Sequence, residues 1–393
     1  MPAAKEFEAA RRKRSRRAAF RRLRSLVIFC ALVAVILAFA RYLSEKPILN
    51  IIKTNLAISR EKGSFPVRIP GEKMFGLTKC GNGNIAVFSD KGLFAYDGKG
   101  RKTLEVLGGT SDMISFAYDD DIIYYGSGGK KVYIQNVYGA SDEIDLEGKK
   151  IVSVCVSGDG KIAVLSQKSN YISQLDVYDK SLKPFFSVQV DANDFAVSAA
   201  FTADSRGILI VSCKAEGGQL CARMTEYAFD GGRVVFESKI KDLLPFSAEY
   251  HNMDIILVGD KKTLTLNRKG EIIGEYAYQG KELVDFDNKS QDGAVLALGS
   301  YGAHNSSTVL GLDHKCGVQM AATLDAKVTA LKVSQGKKYL LLKDSLVWYN
   351  KEGAPEGNAE INSDCFDFLV EGNNAYILTA NQLQKIELKK AKK

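Results

Sequence analysis

The sequence has 393 residues, of which 25% are charged and 46% hydrophobic, and its formal net charge is +8. This charge is local, because residues 1–25 hold ten Lys or Arg and two Glu, whereas the remaining residues balance to about zero. The composition therefore gives no reason to expect that the body of the protein binds nucleic acid, and we expect none as a partner.

An apolar segment follows the basic residues. The run LVIFCALVAVILAFA (Leu26–Ala40) contains no charge and, with its flanks, reaches about 20 residues, the length of a membrane-spanning helix. We predict a basic cytoplasmic tail at 1–24, a transmembrane helix at 25–43 and a juxtamembrane linker at 44–62. The arginine-rich flank should stay in the cytoplasm, which places the rest of the chain outside the cell membrane. The alternative is a signal peptide cleaved after AFA (Ala38–Ala40), which resembles a small-x-small cleavage site.

From residue 63 onwards the sequence repeats a short hairpin. Asp97, Asn267 and Asn350 each open a four-residue turn that a glycine closes, and apolar, β-branched or aromatic residues flank it. An Asx side chain accepts a backbone hydrogen bond from two residues on, and the glycine adopts the left-handed conformation that returns the chain. These segments predict β-hairpins.

A second turn alternates with this hairpin, as in VSGDGKIAVLS at Val156–Ser166. About eight copies occur at a mean period of about 42 residues, which is typical of four-stranded propeller blades. In most copies the strand after the turn is a continuous apolar run, such as IAVF, ILIV or YLLL, as a strand buried on both faces requires. The repeats predict an all-β fold, an eight-bladed β-propeller over 63–393, rather than a long sandwich or two small β domains.

The two ends of the repeat region together supply one blade. The C-terminus provides only three strands after the last full unit, and Ser64–Pro70 (SFPVRIP) is an extended segment without a partner. We predict that this segment adds the fourth strand and closes the ring, because closure hides sheet edges that would otherwise aggregate. A seven-bladed ring is the alternative.

The sequence shows no catalytic motif in a supporting context, and it contains no CxxC pair. An enzyme would need carboxylates, or a histidine with a metal, that converge on the channel, and the candidate residues are Asp119, Asp120, His251 and His304. The three histidines, which include His314, have no ligand spacing and are expected at the surface. We therefore assign no catalytic, cofactor-binding or metal-binding residue.

Six cysteines lie outside the apolar segment, an even number that allows disulfides. Cys213 and Cys221 bracket KAEGGQL, which reads as a hairpin turn, and they could face each other across it. This pair is the candidate for a disulfide bond.

The SGDGKIAVLS turn and its copies resemble the strand–turn–strand of WD40, YVTN and quinoprotein-like propellers, although the GH…WD signature of WD40 repeats is absent. The layout of the whole chain resembles an uncharacterised bacterial family, domain of unknown function 5711. This resemblance implies a single-pass membrane protein with a basic N-terminus, one membrane helix and an extracytoplasmic propeller. It implies no activity.

A propeller presents loops and a channel on a rigid frame, and the fold alone does not choose a function. We expect a membrane-anchored binding or scaffolding module at the cell envelope. Its partners would be the lipid bilayer and a protein or envelope polymer, with no cofactor and no catalysis. The alternatives are a propeller hydrolase or lyase that acts on envelope or secreted carbohydrate, and a ligand sensor that works through a membrane partner.

Overall fold

The computed structural model describes Val33 and residues 63–389, apart from residues 82, 109–111, 169–171, 291, 300–305 and 363. The predicted tail (1–24), transmembrane helix (25–43) and linker (44–62) lie outside the described residues, except for Val33, which is helical and exposed. In the described part of the chain, no helix combines the length and the apolar character that crossing a bilayer requires.

The described residues from 63 onwards form four-stranded antiparallel sheets, which we number as blades 1 to 8 in chain order. Blades 1 to 4 are formed by β2 (Met74–Lys79), β3 (Ile85–Ser89), β4 (Gly92–Tyr96) and β5 (Lys102–Leu107); by β6 (Met113–Tyr118), β7 (Asp121–Gly126), β8 (Lys131–Asn136) and β9 (Ser141–Asp145); by β10 (Lys150–Val156), β11 (Ile162–Gln167), β12 (Ser173–Tyr178) and β13 (Pro184–Gln189); and by β14 (Phe195–Phe201), β15 (Gly207–Glu216), β16 (Gln219–Ala228) and β17 (Val234–Lys241).

Blades 5 to 7 follow the same pattern, and blade 8 combines strands from both ends of the described chain. They are formed by β18 (Pro245–His251), β19 (Asp254–Gly259), β20 (Lys262–Leu266) and β21 (Ile272–Ala277); by β22 (Glu282–Asp287), β23 (Ala294–Gly299), β24 (Ser307–Leu312) and β25 (Val318–Leu324); by β26 (Ala330–Ser334), β27 (Lys337–Leu341), β28 (Ser345–Tyr349) and β29 (Pro355–Glu360); and by β30 (Asp367–Glu371), β31 (Asn374–Leu378), β32 (Gln382–Glu387) and β1 (Val67–Arg68).

The sheets are arranged as the blades of a propeller. The first strands of neighbouring blades contact one another, so these strands line a central channel and the fourth strands lie at the perimeter. The predicted all-β, eight-bladed propeller is confirmed, and the seven-bladed alternative is wrong.

Blade 8 closes the ring as predicted. Within it, Val67 lies opposite Leu383 and Arg68 lies opposite Gln382. Beyond β1, the backbone N–H of Ile69 donates to the carbonyl of Asn381 at 2.9 Å, and the Ile69 side chain is buried. The closing segment is therefore held both by hydrogen bonds and by apolar packing.

The core lies between blades rather than inside any one of them. All five residues of β3 are buried, and the second strands of the other blades are nearly as well covered. One apolar cluster contains Leu209 of blade 4 with Ile255 of blade 5, and others join further neighbours in the same way. Fully burying one such side chain stabilises the fold by about 1.5–3 kcal/mol, so each blade depends on the next.

The turns have the predicted chemistry. The Oδ1 atom of Asp97 accepts hydrogen bonds from the backbone N–H groups of Lys99 and Arg101, both at 2.9 Å, and Gly100 has a φ of 81°. Because strands alternate in direction, first-to-second and third-to-fourth strand turns lie at one end of every blade, which we call the turn face. The second-to-third strand turns and the connections between blades lie at the other end, which we call the crossover face.

Candidate functional site

The first strands carry an extra residue near the crossover face. Their pairing with the second strands shifts by one residue at corresponding places in blades 1, 3, 4, 5 and 6, which creates β-bulges. The extra residues at these bulges are Phe75, Val152, Val197, Phe246 and Val284. A bulge changes the direction in which nearby side chains point, and bulges are frequent at rims of this kind. The strands at this mouth of the channel are therefore irregular.

Exposed apolar side chains accompany this edge. Ile114, Phe195, Phe246 and Phe366 lie at or just before the start of first strands in four blades, and each is between 39% and 54% exposed. We call these four residues the apolar rim. These residues are not among those predicted from the sequence, although first-strand segments such as ISF, FSA and FDF place an apolar residue before a small or acidic one. Exposed apolar groups gathered at one mouth of the channel indicate an interaction surface.

The channel carboxylates are used to join blades. The Oδ2 atom of Asp285 accepts a hydrogen bond from the N–H of Leu331 in the next blade at 2.7 Å. Asp367 accepts one from the N–H of Leu77 at 3.2 Å and a second, at 2.6 Å, from the ammonium of Lys332. Burial raises the pKa of the Asp285 carboxyl. Each of these acids therefore joins two neighbouring first strands through a hydrogen bond to a backbone N–H.

A cavity of about 550 Å³ opens from the channel toward the turn face. Its lining includes the hydroxyls of Ser153, Ser198 and Ser247, and the Ser198 Oγ atom is buried without a hydrogen-bond partner among the described residues. Glu249 is the acid of this lining, and burial raises its pKa while the charge of Lys289 acts in the opposite direction. The cavity can accept hydrogen-bonding groups, but its described lining pairs no nucleophile with a base.

A larger cavity, of about 780 Å³, lies between the outer strands of blades 1 and 2. Tyr124 and Tyr133 line it as a stacked pair with ring centroids 5.2 Å apart, and Asp142 and Glu143 stand at its edge. It is a groove on the perimeter, remote from the channel.

The structure does not assemble the four candidate catalytic residues. Asp119 and Asp120 lie in the β6–β7 turn of blade 2, where Asp119 is exposed and the carbonyl of Asp120 accepts a hydrogen bond from the N–H of Val137. His251 ends β18 in blade 5, and His304 lies outside the described residues. The acids and His251 are therefore three blades apart.

His251 is buried, so its expected position at the surface is wrong. Its Nε2 atom donates a hydrogen bond of 2.7 Å to the carbonyl of Asn288, and its ring lies edge-on to His314 with centroids 5.7 Å apart. Burial lowers the pKa of His251. No sequence signal indicates this pair, because the two histidines belong to different blades. Between residues 63 and 389, the described side chains contain no group of three His, Cys, Asp or Glu that could hold a metal ion.

The register of the β15–β16 hairpin does not favour the candidate disulfide between Cys213 and Cys221. Cys213 lies opposite Ala222, and Cys221 lies opposite Lys214, so the two cysteine side chains leave the β15–β16 hairpin on opposite faces. Both thiols are free and buried in this structure. A bond between them would require the hairpin to slip by one residue, and the pairing stays a prediction.

Solved structures with the same fold are similar over most of the chain. The C-terminal WD40 domain of Sif2 has a TM-score of 0.60 and 12% sequence identity, over 83% of this chain and 99% of that one. Sqt1 from Chaetomium thermophilum, bound to the N-terminus of the ribosomal protein L10, has a TM-score of 0.58 and 12% identity, over 83% of this chain and all of that one. No curated protein matches the sequence.

The family comparison agrees with the resemblance seen in the repeats. The model of a family of unknown function, DUF5711, matches residues 75–388. The match begins within β2 and ends just after β32, so it spans nearly all of the propeller. The chain therefore belongs to the DUF5711 family.

Proposed function

We propose that the protein is a membrane-tethered, extracytoplasmic binding module that engages a protein partner through the apolar rim of its crossover face. The observation that carries this proposal is the exposure of Ile114, Phe195, Phe246 and Phe366 around one channel mouth. Aromatic side chains supply much of the binding energy in many protein interfaces, and covering an apolar rim with a partner removes it from water and stabilises the complex.

The hydrogen bonds of the channel acids support a binding role rather than a catalytic one. Carboxylate oxygens of Asp285 and Asp367 both accept hydrogen bonds from backbone N–H groups of the neighbouring blade. A propeller of the same fold, Sqt1, is known with the N-terminus of the ribosomal protein L10 bound. This precedent supports a polypeptide as the class of partner, while the identity of the partner here is left to experiment.

The place where the chain meets the propeller supports the choice of face. Gly63 lies against Arg101 and the carbonyl of Lys99, in the outer turn of blade 1, and therefore at the turn face. Gly63 therefore lies at the opposite end of the blades from the apolar rim.

Site-specific photocrosslinking in intact cells tests the proposal. A benzophenone side chain placed at Phe246 should form a discrete protein adduct, whereas the same group at Met253 should not. Met253 is a matched control because it is exposed, apolar and in the same blade, but lies in the turn at the opposite face. Adducts that are absent from Phe246, or equal at both positions, would contradict the rim as the binding surface.

A separate measurement tests the tether. The full chain should stay with the membrane during alkaline carbonate extraction. Release of a mature chain that starts at Arg41 would instead establish a cleaved signal peptide, and it would leave the photocrosslinking result to be judged by itself.

A further inference from the structure

The outer hairpins of four consecutive blades stack side by side. An outer hairpin consists of the third and fourth strands of a blade and the turn that joins them, and those of blades 3 to 6 are β12–β13, β16–β17, β20–β21 and β24–β25. Gly232 in the turn of blade 4 lies against Phe186 of blade 3, and Gly270 in the turn of blade 5 lies against Phe236 of blade 4. Gly274 of blade 5 in turn lies against the backbone of Lys315 in blade 6. The four hairpins therefore form one continuous surface.

This surface is apolar where the fourth strands begin. The residues there are between 40% and 51% exposed, and they are Phe185, Val234, Val235, Ile272, Ile273 and Val318. By comparison, the fourth strands of blades 1 and 2 begin with polar residues, Lys102 and Ser141. Exposed apolar residues are thus concentrated on one side of the perimeter, close to the turn face.

Cations without acidic partners border the apolar residues. The exposed basic residues of the same four hairpin turns are Lys180, Lys183, Arg233, Arg268, Lys269 and Lys315. None of them forms an ion pair with an acid in the described part of the propeller. In the corresponding turns of other blades, Arg101 pairs with Asp97 in blade 1 and Lys351 pairs with Asp292 across blades 7 and 6.

Most acids of these turns accept hydrogen bonds within their own hairpins. Asp179 accepts hydrogen bonds from the N–H groups of Ser181 and Lys183, and Asp313 accepts them from its own turn and from Gln319. Glu271 accepts one from the side chain of Asn267. Asp230 is the remaining acid. The long basic side chains can therefore extend beyond the carboxylates and present a positive edge beside the apolar residues.

We propose that the four outer hairpins of blades 3 to 6 form a docking surface for an anionic lipid bilayer. Apolar side chains that insert at the headgroup boundary, flanked by Lys and Arg that meet anionic headgroups, are the two features of interfacial membrane binding. The surface adjoins the turn face, where the chain reaches the propeller at Gly63. The inference rests on the proposed function, because a membrane tether would keep the propeller within reach of the bilayer.

Brominated lipid in reconstituted vesicles provides the test, since bromine quenches tryptophan fluorescence only at short range. The full chain is suited to this test because its single tryptophan, Trp348, is buried in blade 7 and contributes a constant background. Phe185→Trp reports on the docking surface, and Phe195→Trp is the matched control. Both positions are phenylalanines with nearly equal exposure, 50% and 54%, but Phe195 belongs to the apolar rim of the crossover face.

In vesicles that contain phosphatidylglycerol, brominated acyl chains should quench Phe185→Trp and leave Phe195→Trp unchanged. Quenching should fall to the control level in vesicles of phosphatidylcholine alone, and also when Arg268→Glu and Lys269→Glu are combined with Phe185→Trp. The charge-reversed protein should keep its melting temperature, because both side chains are exposed and unpaired.

Equal quenching at both reporter positions, or none at Phe185→Trp, would overturn the docking surface and leave an acidic protein or polymer as its occupant. Quenching that does not depend on phosphatidylglycerol would refute the role of the cations. These outcomes are independent of the photocrosslinking at Phe246, and carbonate extraction reports separately on the tether, so failure of the docking surface can be told from failure of the proposed function.

Discussion

A disulfide across the closing pair of strands should stabilise the propeller more than the same bond inside an ordinary blade. Arg68 and Gln382 lie directly opposite each other in β1 and β32, where Arg68 is exposed and Gln382 half-buried. Ser345 and Glu360 occupy the equivalent positions in β28 and β29 of blade 7. Replacing each pair by cysteines therefore creates two bonds with the same local geometry.

The two bonds differ in the length of chain that they close. In the chain-entropy model the bond in blade 7 closes a loop of roughly 16 residues and contributes about 3 kcal/mol, whereas the bond in blade 8 closes roughly 315 residues and contributes about 5.7 kcal/mol. The closing bond should thus exceed its control by about 2.7 kcal/mol. This difference exists only if β1 is paired with β32 in the folded protein, as the structure has it.

Guanidinium unfolding of the full chain in detergent, with each variant oxidised and reduced, measures both contributions. The oxidised form of Arg68→Cys/Gln382→Cys should show the larger rise in unfolding midpoint over its reduced form. Equal rises in the two variants, or failure of the closing pair to oxidise while the blade 7 pair does, would refute the closure of the ring by β1.

Three further predictions follow from blade contacts and burial. Deletion of residues 381–393 removes β32 and the partner of β1, so the ring should open and aggregate during size-exclusion chromatography, and a truncated chain that stays soluble, monomeric and equally heat-stable would count against closure. Asp367→Ala leaves the N–H of Leu77 without its acceptor and should lower the free energy of unfolding by about 1–3 kcal/mol, while Asp367→Asn, which keeps an acceptor oxygen, should cost less in the same urea titration. Because burial lowers the pKa of His251, the unfolded chain takes up a proton first as the pH falls below the ordinary value of 6.5. The stability that this histidine contributes is complete above that pH and declines below it, toward the lowered pKa, so His251→Gln should flatten the acid side of a pH–stability curve; an unchanged slope would contradict the buried, neutral state.

The blades could be predicted because their signals are local. The Asx–glycine turns at Asp97, Asn267 and Asn350 need only the hydrogen bonds of their own loops, and the structure contains those bonds. The buried second strands are also recognisable from a local signal, because a strand buried on both faces is a run of apolar residues. Closure of the ring could also be predicted, because the sequence shows both an incomplete last unit and an extended first segment without a partner.

The contacts between blades could not be predicted in this way. Asp367 and Leu77 are hydrogen-bonded although 290 residues separate them in the sequence, and no local pattern indicates which blade accepts which bond. The sequence predicts a surface position for His251 because the histidines show no ligand spacing, yet the next blade covers His251 through Asn288 and His314. In a ring, the environment of a side chain is decided by the neighbouring repeat as much as by its own.

The candidate site was the hardest part to foresee. Asp119 and Asp120 were considered for their charge alone, and the structure places them in a turn remote from His251. The apolar rim and the docking surface arise because corresponding positions of several blades come together on one face. Such surfaces appear in a sequence only after its repeats have been aligned with their strand order, since each blade contributes one or two residues.

The closing strand also determines how the molecule carries mechanical load. Any tension that arrives from the residues before Gly63 reaches β1 first, and β1 pairs with β32 over Val67 and Arg68 alone. The segment runs from the turn face toward the crossover face, so a pull from the turn face acts along the strand and loads its hydrogen bonds in shear, together rather than one after another. The buried side chain of Ile69 then acts as an anchor at the far end of the segment. The ring therefore resists a pull at the very strand whose release would open it.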